Sequence, residues 1–190
     1  VGLGNVELEN VNVMGKIIIC GGGEAEAGKQ SVLLRNVTAG ALELDSLTEQ
    51  FLSIQAEGLT DIGEVTIRTP SFVQDLTEDG LGFQNIRLDG DGEFEGGVQL
   101  QLAGNLKNII NLTPNSSLQI AQGVAKVVTV DEKAVDSVLS IDNIASIKEL
   151  NLDRGTEVTG EGSISHVNIN APGSKVEMLP DTIFVRPGIS

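Results

Sequence analysis

The sequence predicts an all-β fold, a parallel β-helix of about nine coils in which each coil stacks on the one before it. Short segments with alternating apolar and polar residues recur throughout, separated by clusters of Gly, Asn, Asp and Ser. Two offset series of apolar pairs share one period near 20 residues, and no long helical stretch lies between them. This combination is typical of a β-solenoid with at least two strands in each coil.

The first series of apolar-x-apolar pairs has spacings of 21, 24, 18, 22 and 17 residues. It comprises Val65/Ile67, Ile86/Leu88, Ile110/Leu112, Val128/Val130, Leu150/Leu152 and Val167/Ile169. The second series comprises Leu100/Leu102, Leu118/Ile120, Leu139/Ile141, Val158 alone and Val176/Met178. These pairs should face inward and stay in register, because a slip of one residue would turn them outward, whereas the turns between strands can absorb insertions. With about 4.8 Å per coil, nine coils would form a rod on the order of 40 Å long.

A recurring tetrad indicates where the chain turns. An apolar residue, any residue, Asn and then Val or Ile occurs at Asn10, Asn36, Asn85, Asn108 and Asn143. Asn tolerates the left-handed backbone conformation of sharp corners, and stacked side-chain amides can hydrogen-bond from coil to coil. The tetrad predicts corner positions joined by an Asn ladder; unrelated turn asparagines are the alternative.

Two short segments carry helix-start patterns. Ser46 with Glu49 forms a capping-box pattern, and Asp131 could cap a helix carrying Ala134, Val135 and Val138. Strand-like alternation continues beside both, so strands are favoured over helices there.

No linker divides the chain, which we therefore expect to be a single solenoid domain over residues 1–190. Because the chain begins at Val1 without a leader, we expect it to be a piece of a larger protein. The ends of such a solenoid expose unpaired strand edges, and the segments 3–5 and 180–190 are the candidate caps.

Composition limits the functions to be considered. Lys and Arg number 12 against 27 Asp and Glu, giving a formal net charge of −15, so nucleic acid and anionic lipid are poor partners. The same imbalance argues against a cleft for acidic sugars. No apolar run approaches the roughly 20 residues needed to span a bilayer, so membrane insertion is not expected.

An acidic segment offers the strongest metal pattern. Asp89, Asp91, Glu93 and Glu95 place four carboxylates at alternate positions, as oxygen-ligand calcium loops do. An EF-hand beginning at Asp89 would need Glu at position 100, which is Leu, so that specific motif fails. A looser calcium site between coils and a solvated acidic turn remain the alternatives; no other cofactor is expected.

Other chemistry is poorly supported. Gly23–Lys29 matches the first seven positions of a P-loop, but Gln30 stands where Ser or Thr would bind magnesium. His166 should point outward, and Cys20 should be a small core or edge residue, so no nucleophile and base are expected to meet. We expect most of the five Phe side chains to be buried, which leaves few aromatic platforms for sugar rings.

Four stretches carry a family resemblance: LENVNVMGKIIICGGGE (8–24), SVLLRNVTAGALELDS (31–46), AEGLTDIGEVTIRTPSFVQ (56–74) and TGEGSISHVNINAPGSKVEMLPDT (159–182). They resemble β-helix repeat regions of large cell-surface proteins of Gram-positive bacteria, often carried beside S-layer homology domains. The stretches cover about half the chain; an insert at 25–30 departs from the pattern, and the middle from Asp75 to Ile141 matches in periodicity alone.

The resemblance implies a right-handed β-helix that is a non-catalytic structural or adhesive module, extracellular and associated with the cell wall. Its partners would be envelope components or polysaccharide, and self-association through the coil ends is a further expectation. The alternative is a carbohydrate-binding or polysaccharide-degrading β-helix, a function this fold class also hosts.

Overall fold

In the computed structural model, the chain is described at residues 5–21, 32–46, 51–78, 81–90, 94 and 97–189. These residues form sixteen β-strands, all paired in parallel, and contain no α-helix. Accordingly, no helix with the length and apolar character of a membrane span is found among them. The predicted parallel β-solenoid is therefore confirmed.

The strands stack into two ladders that run side by side along the solenoid. Ladder one contains β1 (Val6–Glu9), β3 (Val32–Arg35), β5 (Leu52–Gly58), β7 (Ser71–Thr77), β11 (Val138–Ile141), β13 (Glu157–Gly160) and β15 (Lys175–Val176). Ladder two contains β2 (Asn12–Ile19), β4 (Thr38–Leu44), β6 (Asp61–Ile67), β8 (Gly82–Leu88), β12 (Ala145–Leu152), β14 (Ser163–Ile169) and β16 (Thr182–Val185). The long strands β9 (Gln99–Asn111) and β10 (Ser117–Val130) pass through both ladders.

In ladder two, the six-residue pattern from β6 to β14 is the same in every coil. An inward apolar residue is followed by two outward residues, a second inward apolar residue, one outward residue and a third inward residue. In β6, for example, Ile62, Val65 and Ile67 are fully buried, while Gly63 and Glu64 both face outward. The two adjacent outward residues kink the strand, and this kink repeats from coil to coil. It gives the outer face of ladder two three columns of side chains.

Inward residues of successive coils pair directly and form the core. One column of ladder two runs Ile17, Leu42, Val65, Ile86, Ile109, Val128, Leu150, Val167 and Ile183. The column in ladder one that holds the second predicted series runs Leu52, Ser71, Leu100, Leu118, Leu139, Val158 and Val176. These columns confirm most of the predicted inward pairs.

One predicted inward pair is wrong at its first member. Ile110 and Leu112 were expected to face the core, but Ile109 and Asn111 occupy the inward positions of the strand, opposite Ile86 and Leu88. Leu112, which follows the strand, is nevertheless buried, at 8% exposed. Asn111 is only 1% exposed because its amide is satisfied within the corner that follows β9. A polar side chain thus takes a core position, which shifts the register by one residue.

About seven coils enclose the core, compared with the nine predicted. Side chains buried in it run from Val32 to Val167, whereas the first and last strands of both ladders are at least partly exposed. Residues 180–190 do not form a simple cap, since Thr182–Val185 pairs with β14 as a further strand of ladder two. The other expected cap, residues 3–5, lies largely outside the described residues.

The corners between the ladders explain the Asn tetrad only in part. Asn10 and Asn36 adopt positive φ values of 55° and 53°, and the Asn36 amide donates to Asn10 Oδ1 at 2.9 Å, as predicted for a corner ladder. Asn85 and Asn108 instead lie within β8 and β9, at the kink, where they form a second Asn pair. Asn143 lies in an exposed turn.

Neither helix-start pattern forms a helix in the described residues. Residues 47–50 lie outside them, and β5 begins at Leu52. The Asp131 side chain accepts from the backbone N–H of Lys133 at 3.0 Å, which closes a tight turn rather than starting a helix. The strand-like alternation beside both patterns was the better guide.

Candidate functional site

Of the four carboxylates predicted to bind calcium, only Asp89 lies within the described residues. Asp91, Glu93 and Glu95 lie outside the described residues. Asp89 follows β8, and its Oδ2 atom is 3.0 Å from Nε of Arg87, so an arginine already neutralises this carboxylate. Within the described part of the chain, no group of three or more His, Cys, Asp or Glu side chains is placed to hold a metal ion.

The other singled-out residues are dispersed over the solenoid. His166 is exposed on the outer face of ladder two, as predicted. Cys20 is exposed at the end of β2, which makes it an edge residue and not a core residue. The P-loop-like stretch, residues 23–29 with Gln30, lies outside the described residues.

The expectation that most aromatic side chains are buried is wrong. Only Phe83 is fully buried among the five, whereas Phe184 in β16 is 55% exposed. The remaining three, Phe51, Phe72 and Phe94, are partly buried. None of them lines the shallow groove on the outer face of ladder two.

A shallow groove of about 380 Å³ lies on the outer face of ladder two. It crosses four coils, from β6 to β10, and therefore extends about 14 Å along the solenoid at the usual strand spacing. Its walls are the outward side chains beside the kink, and its floor is the backbone of the inward residues. The lining residues are Glu64, Asn85, Ile86, Arg87, Asn108, Ile109, Ile110, Val127 and Thr129.

An amide chain runs along one wall of this groove. The Asn108 side chain donates to Asn85 Oδ1 at 2.8 Å, and the Asn85 side chain donates to the carbonyl oxygen of Gly63 at 2.8 Å. Each Asn is thereby held in one orientation by the coil beneath it, and both side chains remain exposed. The same column continues with Val127, and the neighbouring outward column presents Arg87, Ile110 and Thr129, so polar and aliphatic side chains alternate in the lining.

The groove is close to neutral, in contrast to the chain as a whole. The guanidinium of Arg87 is paired with Asp89, which leaves Glu64 as the unpaired formal charge in the lining. Hydrogen-bonding amides beside aliphatic side chains, with one unpaired carboxylate at the Glu64 end, suit a neutral polyhydroxylated ligand better than an anion.

A network of ion pairs joins neighbouring coils beside this face. Glu43 accepts from Lys16 at 2.6 Å and from Arg68 at 3.2 Å, and these residues come from three successive coils. The hydrogen bond from Lys16 lowers the pKa of Glu43, although partial burial opposes that change. Its role is consistent with holding coils together rather than with catalysis.

The chain matches a known protein by fold and not by sequence. No protein-family model matches the chain, and no curated protein matches its sequence. Its fold is similar to that of a solved structure of chitinase ChiW from Paenibacillus sp. str. FPU-7, with a TM-score of 0.72 and 19% identity. The match covers 82% of this chain and 14% of the chitinase chain.

That neighbour is described as a bacterial cell-surface-expressed multi-modular enzyme machinery. At 19% identity the likeness shows the fold alone. The β-solenoid thus has a counterpart in one part of a large bacterial cell-surface protein.

Proposed function

We propose that this chain is a non-catalytic structural or adhesive module of an extracellular, cell-wall-associated bacterial protein. The observation that carries the proposal is the unbroken stacking of both ladders, with aliphatic columns buried over about seven coils. Such a solenoid is stiff along its axis, because the backbone hydrogen bonds of both ladders join each coil to its neighbours. The association with S-layer proteins rests on the sequence resemblance alone.

The cell-surface location is supported by the structural neighbour, which is a cell-surface-expressed protein. The sequence resemblance to envelope proteins of Gram-positive bacteria points the same way. The proposal assigns no chemical step to any residue of the chain.

A reducing-sugar assay on cellulose, xylan, chitin and peptidoglycan tests the non-catalytic part of the proposal. We expect no sugar release from any of them. Release that is abolished by heat denaturation would contradict the proposal. Small-angle scattering should show a rigid particle elongated along the ladders; a compact sphere would contradict the spacer role.

The groove favours a second candidate, a carbohydrate-binding module. Its oriented amides and its aliphatic side chains Ile110 and Val127 suit a segment of neutral polysaccharide laid along the solenoid. One sugar residue for each coil would place successive hydroxyls beside Asn85 and Asn108.

Binding to insoluble polysaccharide distinguishes the two candidates. If the groove binds, the wild-type chain is retained and the variant carrying Asn85→Ala and Asn108→Ala is not. The matched control carries Asn151→Ala and Asn168→Ala, which removes an equivalent 2.8 Å Asn pair on the same face outside the groove. Equal retention of both double variants would contradict binding in the groove.

A further inference from the structure

Three lysines stack in one column of the outer face of ladder two. Lys107 lies between Leu106 and Asn108, which pair with Ala125 and Val127 on either side of Lys126. Ala125 and Val127 pair in turn with Ile147 and Glu149, which flank Lys148. The three residues therefore occupy the same position of the kink in three successive coils. At the usual strand spacing, their Cα atoms span about 10 Å along the solenoid.

This column contrasts with two cations of ladder one that oppose a carboxylate. Lys175 directly opposes Glu157 in the ladder and bonds it at 2.9 Å, and Arg35 opposes Glu57 at 3.1 Å. With 27 acidic residues against 12 basic ones, a carboxylate could readily stand between stacked lysines. Like charges placed opposite one another in adjacent strands destabilise a sheet, so this column is unfavourable for the fold alone.

Two of the three lysines carry no ion pair in the described part of the chain. Lys126 and Lys148 are exposed, and neither forms an ion pair there. Glu149, which follows Lys148, instead accepts a hydrogen bond from Asn151 at 3.2 Å. The ammonium group of Lys107 donates to the side-chain oxygen of Gln84 on the preceding coil, which orients it along the same column.

We propose that the Lys107–Lys126–Lys148 column binds a linear polyanion laid along the solenoid axis, with anionic groups that recur at about the spacing of the coils. The lysine ammonium group is a compact point charge that donates hydrogen bonds to both carboxylate and phosphate oxygens. The shared chemistry is therefore a repeating anion, whether it belongs to an acidic polysaccharide or to a phosphate polymer. The site is independent of the spacer role, and it lies in the outward column next to the groove residues Asn108 and Val127.

The net charge of −15 does not prevent this binding. At physiological ionic strength the screening length is about 8 Å, so a bound polymer responds mainly to the three nearby ammonium groups. The overall composition alone argues against acidic ligands. The strand register nevertheless places three of the 12 basic residues in this one column.

The test measures binding of the whole chain to three immobilised polymers at physiological ionic strength: a linear polyuronate, long-chain polyphosphate and uncharged dextran. We expect binding to at least one polyanion, loss of binding at high salt and no binding to dextran. The variant Lys126→Glu with Lys148→Glu should weaken binding about tenfold or more. Each substitution replaces an attractive contact, worth a few-fold in affinity, by a repulsive one.

The matched control carries Lys133→Glu and Arg154→Glu, two exposed residues outside the column, and changes the net charge by the same amount. It should bind like the wild-type chain, and all variants should show the same β-rich circular dichroism. Binding to only one polyanion identifies that anion as the ligand chemistry. Failure of the wild-type chain to bind either polyanion, or an equal loss in both double variants, would overturn the proposal.

Discussion

Asn111 provides a sharp test of how the core is built. Its side chain occupies an inward position between Leu88 and Val130, where an aliphatic residue would be expected. It donates to Oγ of Ser116 at 2.8 Å, and its Oδ1 atom accepts from the backbone N–H of Thr113 at 3.0 Å. The three polar residues of this corner, Asn111, Thr113 and Ser116, are all at least 98% buried.

Replacing Asn111 by Ala removes both hydrogen bonds. The buried N–H of Thr113 then lacks its acceptor, which costs about 1–3 kcal/mol, and the lost bond to Ser116 adds about 1 kcal/mol. Ser116 still donates to the carbonyl oxygen of Thr113 at 2.7 Å, so its hydroxyl is not left unpaired. The expected loss in the free energy of unfolding is therefore about 2–4 kcal/mol.

Urea unfolding followed by circular dichroism measures this loss. Asn108→Ala is the matched control, because Asn108 belongs to the same strand but faces outward. We expect its unfolding free energy to change by no more than about 0.5 kcal/mol. If Asn111→Ala were no more destabilising than Asn108→Ala, the hydrogen bonds of this corner would not stabilise the core.

Three further predictions concern the corners, the ion pairs and the acidic loop. Gly104→Ala should destabilise by at least about 2 kcal/mol, because φ is +115° and a Cβ would lie 2.2 Å from the carbonyl oxygen of Asp75; Gly15→Ala, with open space around it, is the control in the same urea assay. The pKa of Glu43 lies below its ordinary value of 4.5, so its stabilisation is present above that pH and is lost as the pH falls through the lower folded-state value. The melting midpoint of Glu43→Gln should accordingly fall less on acidification than that of the wild-type chain, and parallel curves would contradict the ion pair's role. Since Arg87 already engages Asp89, melting with calcium and with chelator should give the same midpoint, whereas a rise with calcium would reveal a cation site in the segment 89–95.

The stacked columns could be predicted because their signal is hydrophobic and local. Val65/Ile67 and Leu150/Leu152 show the inward alternation directly in the sequence, and both pairs are fully buried. The same reasoning failed at Ile110, because hydropathy assigns the buried Asn111 to the surface. Only its partners in the corner, Thr113 and Ser116, make the inward position of Asn111 favourable.

The Asn tetrad shows a second limit of sequence reasoning. Leu34-Arg35-Asn36-Val37 forms a corner, with positive φ at the Asn, whereas Leu106-Lys107-Asn108-Ile109 forms the kink within a strand. Both place two polar residues between two inward apolar ones, so the local pattern is the same. What distinguishes them is which residues of the neighbouring coils they meet, and this depends on register.

Register also explains why neither the groove nor the lysine column could be found in the sequence. The connection between β6 and β7 has three residues, 68–70, whereas that between β8 and β9 has ten, 89–98. The connections therefore absorb changes in length while the strands stay aligned, so Lys107, Lys126 and Lys148 stack although they are 19 and 22 residues apart. Because outward side chains contribute little to the core, the chemistry of this face can vary without disturbing the ladders. A solenoid of this kind can thus combine a rigid interior with the proposed lateral binding surface, which is the combination that the proposed adhesive spacer would require.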